Sequence, residues 1–131
     1  MSFACDQAGP DAEVRRAAAA FAKADNRKSA LQLLTSFGPF FAGCVAMHLV
    51  TPLSWIAALA LAVPTGTLLV RVFIVQHDCG HGSFFASKRA NALVGRMCSL
   101  ITMTPFANWS QQHSLHHADW NNLDRKGGSD I

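Results

Sequence analysis

Five of the six histidines fall in two short stretches, His77-Asp78-Cys79-Gly80-His81 and His113-Ser114-Leu115-His116-His117. Their spacing is helical. His77 and His81 are four apart; His113, His116 and His117 stand at i, i+3 and i+4, so each set shares one helix face. Imidazoles gathered in this way make a poor core and a good metal cage. They suit iron, zinc, copper or nickel, so ligand type alone does not select the metal. Two ligand groups from separate segments suit more than one ion. The first stretch is not the His-Glu-x-x-His of a zinc protease, because Asp78 stands where that pattern needs its general-base Glu. Asp78 and Asp119 are candidate partners that would fix imidazole tautomers. His48, the sixth histidine, lies inside an apolar run and reads as an interfacial residue that binds no metal. A multi-histidine site at a membrane surface, open to a lipid-soluble substrate, suits activation of dioxygen by iron.

The elements that position these residues are apolar. Half of the 131 residues are hydrophobic and only 15% are charged. No Asp, Glu, Lys or Arg occurs from residue 29 to residue 70. As helix, that stretch would span roughly 60 Å, about two bilayer cores. Residues 30–50 and 53–75 are the two predicted spans, with Thr51-Pro52 as the turn between them. Gly38-Pro39 would break a soluble helix but is tolerated in a membrane one, and Pro64 with Gly66 predicts a kink. Arg71, near the end of the second span, can snorkel to the interface. The Lys and Arg residues all flank the hairpin and none lies in its turn, which places both flanks on the cytoplasmic side. Both histidine stretches follow the second span and share that side.

Residues 1–28 read as a cytosolic lead-in, with a surface helix over Asp11 to Lys23. They do not fit a secretory leader. Residues 90–107 are apolar but short and contain Arg96, which predicts a surface-lying helix ended by Thr104-Pro105. Residues 118–131 read as loop. The net charge of +3 does not indicate a nucleic-acid partner, because the basic residues flank the apolar run instead of interleaving with aromatics. Cys5, Cys44, Cys79 and Cys98 lack the paired spacing of a disulfide framework. The expected fold class is all-α: a membrane hairpin of two transmembrane helices, then a cytoplasmic helical cap segment over 76–131. The domain reading is a cytosolic segment, 1–28, and one membrane unit, 29–131.

Residues 75–95 (VQHDCGHGSFFASKRANALVG) and 102–131 (TMTPFANWSQQHSLHHADWNNLDRKGGSDI) resemble the membrane fatty acid desaturase family, most closely its bacterial and plant delta-12 (omega-6) members. HDCGH resembles the family's first histidine box and HSLHH its second. Gly82-Ser83-Phe84-Phe85, Asn91, Val94-Gly95 and Thr104-Pro105 fit the run between them. The resemblance implies four transmembrane helices under a cytoplasmic cap that holds two irons. It implies O2 as co-substrate, electrons from ferredoxin or cytochrome b5, and an acyl lipid or fatty acyl substrate that gains a cis double bond. His77, His81, His113, His116 and His117 inherit the iron-ligand role, and Asn108 and Trp109 are candidates for shaping the acyl channel. The implied setting is a bacterial inner membrane. The family's third histidine box and second hairpin are not in this sequence, so the chain reads as the N-terminal part of a longer enzyme, unable to complete the cage alone. Ser110-Gln111-Gln112 is less basic than the family's usual approach to the second box. Competing readings are a lipid or carotenoid hydroxylase or ketolase of the same superfamily, a membrane zinc hydrolase, and a haem electron carrier. Asp78 in place of Glu argues against the hydrolase. The haem carrier would need histidines inside facing spans, where only His48 lies.

Overall fold

The computed structural model describes residues 24–118, together with Val14 and Ala17 upstream. The surface helix expected over Asp11 to Lys23, the terminal loop and Asp119 therefore lie almost wholly outside the described residues. Within residues 24–118 four helices follow in order: α1 (Asn26–Val50), α2 (Trp55–Gly80), α3 (Lys88–Thr102) and α4 (Phe106–Ala118). The described residues contain no strand.

Local chemistry sets the helix starts. Asp25 caps α1, its Oδ1 accepting from the Arg27 amide at 2.9 Å and the Lys28 amide at 3.3 Å. Ser54 caps α2 and Ser87 caps α3 in the same manner. Pro39 and Pro64 lie inside continuous helices. Both long helices are apolar enough to cross a membrane. Of their most apolar windows, only 6% of α1 and 17% of α2 is buried within the chain. A helix at the core of a soluble protein would be covered instead, so these faces are suited to lipid. Where the two long helices pack, a Cβ on Gly43 would meet the Thr65 hydroxyl at 2.6 Å. Glycine is what lets the two backbones come this near.

α2 runs farther than the apolar stretch predicted, to Gly80, and so carries the first histidine stretch as its last turn. It ends in a Schellman motif: the Gly82 amide donates to Cys79 O at 3.0 Å and the Ser83 amide to Asp78 O at 3.1 Å. Gly82 has φ +67°, the left-handed conformation that this motif demands and that glycine adopts without strain. The following loop is tied on both sides. Ser29 Oγ donates to Phe84 O, and the Ala86 amide donates to Asn26 Oδ1 at 3.2 Å. Asn91, almost fully buried, accepts from the Phe85 amide and donates to the Phe85 carbonyl, both at 2.8 Å. These bonds fold α3 back against α2, where Val72, Val75, Cys79, Phe84 and Cys98 form the buried core.

The apolar stretch over residues 90–107 is not one helix. Met103 takes a left-handed conformation at φ 55°, and Thr104-Pro105 separates α3 from α4. The residue before proline disfavours the α region, which explains the break. α3 buries Asn91, Gly95 and Cys98 on one face. On another it exposes Leu93, Met97 and Leu100.

Candidate metal centre

The last turn of α2 and the last turns of α4 meet, bringing four of the five box histidines together. One ring nitrogen from each of His77, His81, His113 and His117 lies within 4.8 Å of all the others. His113 is the hub. Its Nε2 is 3.0 Å from His77 Nε2, 3.1 Å from His81 Nε2 and 3.1 Å from His117 Nε2. His77 and His81 close a triangle with it at 3.3 Å. His116 stands beside this group, its ring centroid 6.3 Å from that of His113 and 6.0 Å from that of His117.

These distances suit a metal ion better than a hydrogen-bond network. A neutral imidazole offers Nε2 as donor or as acceptor, never as both. Three Nε2 atoms in mutual contact must therefore include a pair of like kind, which repel. A cation that takes up three lone pairs removes the conflict. Nitrogens about 2.0–2.1 Å from one ion at angles of about 90–109° lie about 2.8–3.4 Å apart, which brackets the observed 3.0–3.3 Å.

Electrostatics point the same way. His77 lies in the last turn of α2, and His116 and His117 in the last turn of α4. Both helices thus present their negative ends to the site, which favours a cation. Asp78 Oδ1 lies 3.1 Å from His77 Nδ1, so the Nδ1–H donates to the carboxylate and the Nε2 lone pair is left facing the cluster. Burial, and then the neighbouring imidazoles, hold His81 and His113 below the usual histidine range. Both therefore stay neutral, the form that ligates, in more acid solution.

Trp109, expected as a channel residue, packs on the histidines. Its indole stacks on His113 with a centroid distance of 4.7 Å and an interplanar angle of 13°. Asn108 is exposed and accepts from Gln112 Nε2 at 3.3 Å. Gln76 is a further site residue, beyond those that the sequence pattern singles out. This side chain is fully buried, donates from Nε2 to Thr104 O at 3.2 Å and accepts from Thr102 Oγ1 at 2.6 Å. It pins the α3–α4 turn, and so the start of the second box's helix, to α2. The signal in the sequence was an amide ending the apolar run, directly before the first box.

A family model for fatty acid desaturase matches residues 51–129. A fatty acid desaturase of Bacillus subtilis (strain 168) is 40% identical over 119 residues, which is 91% of this chain and 34% of that protein. An sn-1 oleoyl-lipid 12-desaturase of Picosynechococcus sp. is 39% identical over 82 residues, 63% of this chain and 23% of that protein. An sn-1 acyl-lipid omega-3 desaturase (ferredoxin) of Synechocystis sp. is 42% identical over 59 residues, 45% of this chain and 16% of that protein. The similarity thus extends into the hairpin, beyond the two box segments that carried the resemblance. The chain spans about a third of the length of the Bacillus subtilis relative and less of the other two. No solved structure gives a significant match. With its histidine boxes joined at one site and more than half its length matched by the family model, the chain belongs to the fatty acid desaturase family.

Proposed function

We propose that this chain is the N-terminal part of a membrane di-iron desaturase that introduces a cis double bond into an acyl chain, of delta-12 (omega-6) type. The observation that carries the reading is the convergence of four imidazoles from two separate boxes. His77, His81, His113, His116 and His117 would hold iron, the first, second, third and fifth of them already gathered at one point. When bound, iron supplies the activation of O2 and the removal of two hydrogens from an unactivated methylene, with two electrons from a donor such as ferredoxin or cytochrome b5. The chain's own residues bind, orient and insulate. Asp78 holds His77 in the tautomer that turns Nε2 inward. The Gln76 bonds keep α4 against α2 at the end of the span, next to where an acyl chain would leave the bilayer.

The hairpin and α3 support the proposed membrane setting. α1 and α2 cross the bilayer with their Lys- and Arg-bearing flanks in the cytoplasm, in a bacterial inner membrane. α3 lies at the surface, its exposed Leu93, Met97 and Leu100 toward the lipid, and Arg89 and Arg96, exposed on the same face, reach up to the headgroups. No acidic residue occurs from residue 79 to residue 118 to oppose them.

The test is expression of the complete enzyme in a host that supplies electrons, with bound iron and fatty acid products measured together. A new cis double bond that depends on iron and O2 supports the reading. Hydroxylated product alone would make the enzyme a hydroxylase. Activity retained with zinc and without O2 would make it a hydrolase.

A further inference from the structure

Gly80 lies in the last turn of α2, between His77 and His81. A Cβ on it would meet Cζ3 of Trp109 at 2.9 Å, closer than packed carbon atoms approach. The indole of Trp109 therefore fills the space that glycine leaves open. Around it, Phe73 packs edge-on at 5.4 Å and His77 lies at 5.8 Å. Ser110, the next residue, donates from Oγ to Gly80 O at 3.4 Å. One helical turn along α4 from Trp109 is His113, and the two rings stack at 4.7 Å.

From this packing we infer that Gly80 and Trp109 lock the two histidine boxes in register. The indole, seated against the glycine of the first box, sets both the rotation of α4 and the ring plane of His113. His113 matters most here because its Nε2 touches three other Nε2 atoms. An imidazole turns readily about its Cβ–Cγ bond, whose torsional wells are broad. A flat partner at stacking distance restrains that turn and keeps Nε2 pointed at the cluster. Trp109 is thus a positioning residue for the metal site, and Gly80 is the space it needs. The inference rests on the reading of the four histidines as metal ligands.

The test uses the complete enzyme with Gly80→Ala, Trp109→Phe, Trp109→Ala and the double variant Gly80→Ala/Trp109→Phe. Metal affinity is read with Co2+, whose visible absorption bands follow ligand geometry, and folding is read by thermal unfolding of the apo protein. Gly80→Ala and Trp109→Ala are expected to weaken Co2+ binding about 10-fold and to shift its bands. Trp109→Phe, which keeps a flat ring, is expected to lose less. The double variant is expected to recover toward Trp109→Phe, because the smaller phenyl withdraws from the new Cβ. Wild-type affinity and bands in Gly80→Ala and Trp109→Ala would overturn the inference, as would a double variant no better than Gly80→Ala. Should Gly80→Ala fail to fold, a folded Trp109→Ala with wild-type bands overturns it equally. A wild-type enzyme that binds no metal at its histidines fails earlier, and refutes the ligand reading itself.

Discussion

Replacing Gln76 with Leu should loosen the join between the two boxes without touching a histidine. The side chain is fully buried, and leucine nearly matches its volume, so little cavity forms. What is lost is a donor to the Thr104 carbonyl and an acceptor for the Thr102 hydroxyl. The hydroxyl can turn back to the carbonyl one helical turn earlier, as Thr35, Thr65 and Thr67 do. The half-buried Thr104 carbonyl loses its side-chain donor, and orphaning an acceptor costs up to about 1–3 kcal/mol. The added apolar burial of leucine offsets part of this. The net loss should be about 1–2 kcal/mol, or at most a few degrees in the apparent Tm of the larger complete enzyme. Thr102→Val should cost about 1–3 kcal/mol, because it leaves the fully buried Gln76 Oε1 without its donor. The assay is thermal unfolding of the purified apo enzyme, with iron content measured in parallel. Iron loading should fall with the Tm, because the turn that launches α4 is no longer pinned to α2. An unchanged Tm and full iron in Gln76→Leu would show that the buried amide does not hold the site together.

Three further outcomes follow. His77→Ala or His116→Ala in the complete enzyme should abolish desaturation and lower bound iron, whereas His48→Ala, in the first span, should leave the metal in place; product analysis with metal quantification checks both. Because His81 and His113 titrate below the ordinary 6.5, protonation is harder in the folded apo chain than in the unfolded one. Their contribution to stability is complete above pH 6.5 and is lost as pH falls from there through the folded values, so apo-enzyme Tm measured against pH should decline on acidification, and a Tm rising toward lower pH would contradict it. Gly95→Ala would drive a Cβ into the Phe106 ring, and the resulting overpacking should cost about 1–3 kcal/mol in an unfolding assay.

Much of this protein is local and was legible along the chain. Apolar run length and the charge-free stretch from 29 to 70 predict two long helices, because a helix without charge on any face satisfies its own backbone and needs no aqueous side. The i, i+3 and i+4 spacings place each box on one helix face. Thr104-Pro105 predicts the end of α3, since the residue before proline resists helix. The extension of α2 through His77 was not legible, because hydropathy marks where the apolar run stops and says nothing of where the hydrogen-bond ladder stops. Gly82 sets that end, through a left-handed turn whose bonds appear only in the folded chain. Nor could spacing choose among His113, His116 and His117, which share a face equally well. Tertiary packing made that choice. With Trp109 against Gly80 and Gln76 tying the α3–α4 turn to α2, α4 is rotated so that His113 and His117 point at the first box while His116 lies to one side. Helical periodicity states which residues face the same way; only the surface against which the helix docks decides which way that is.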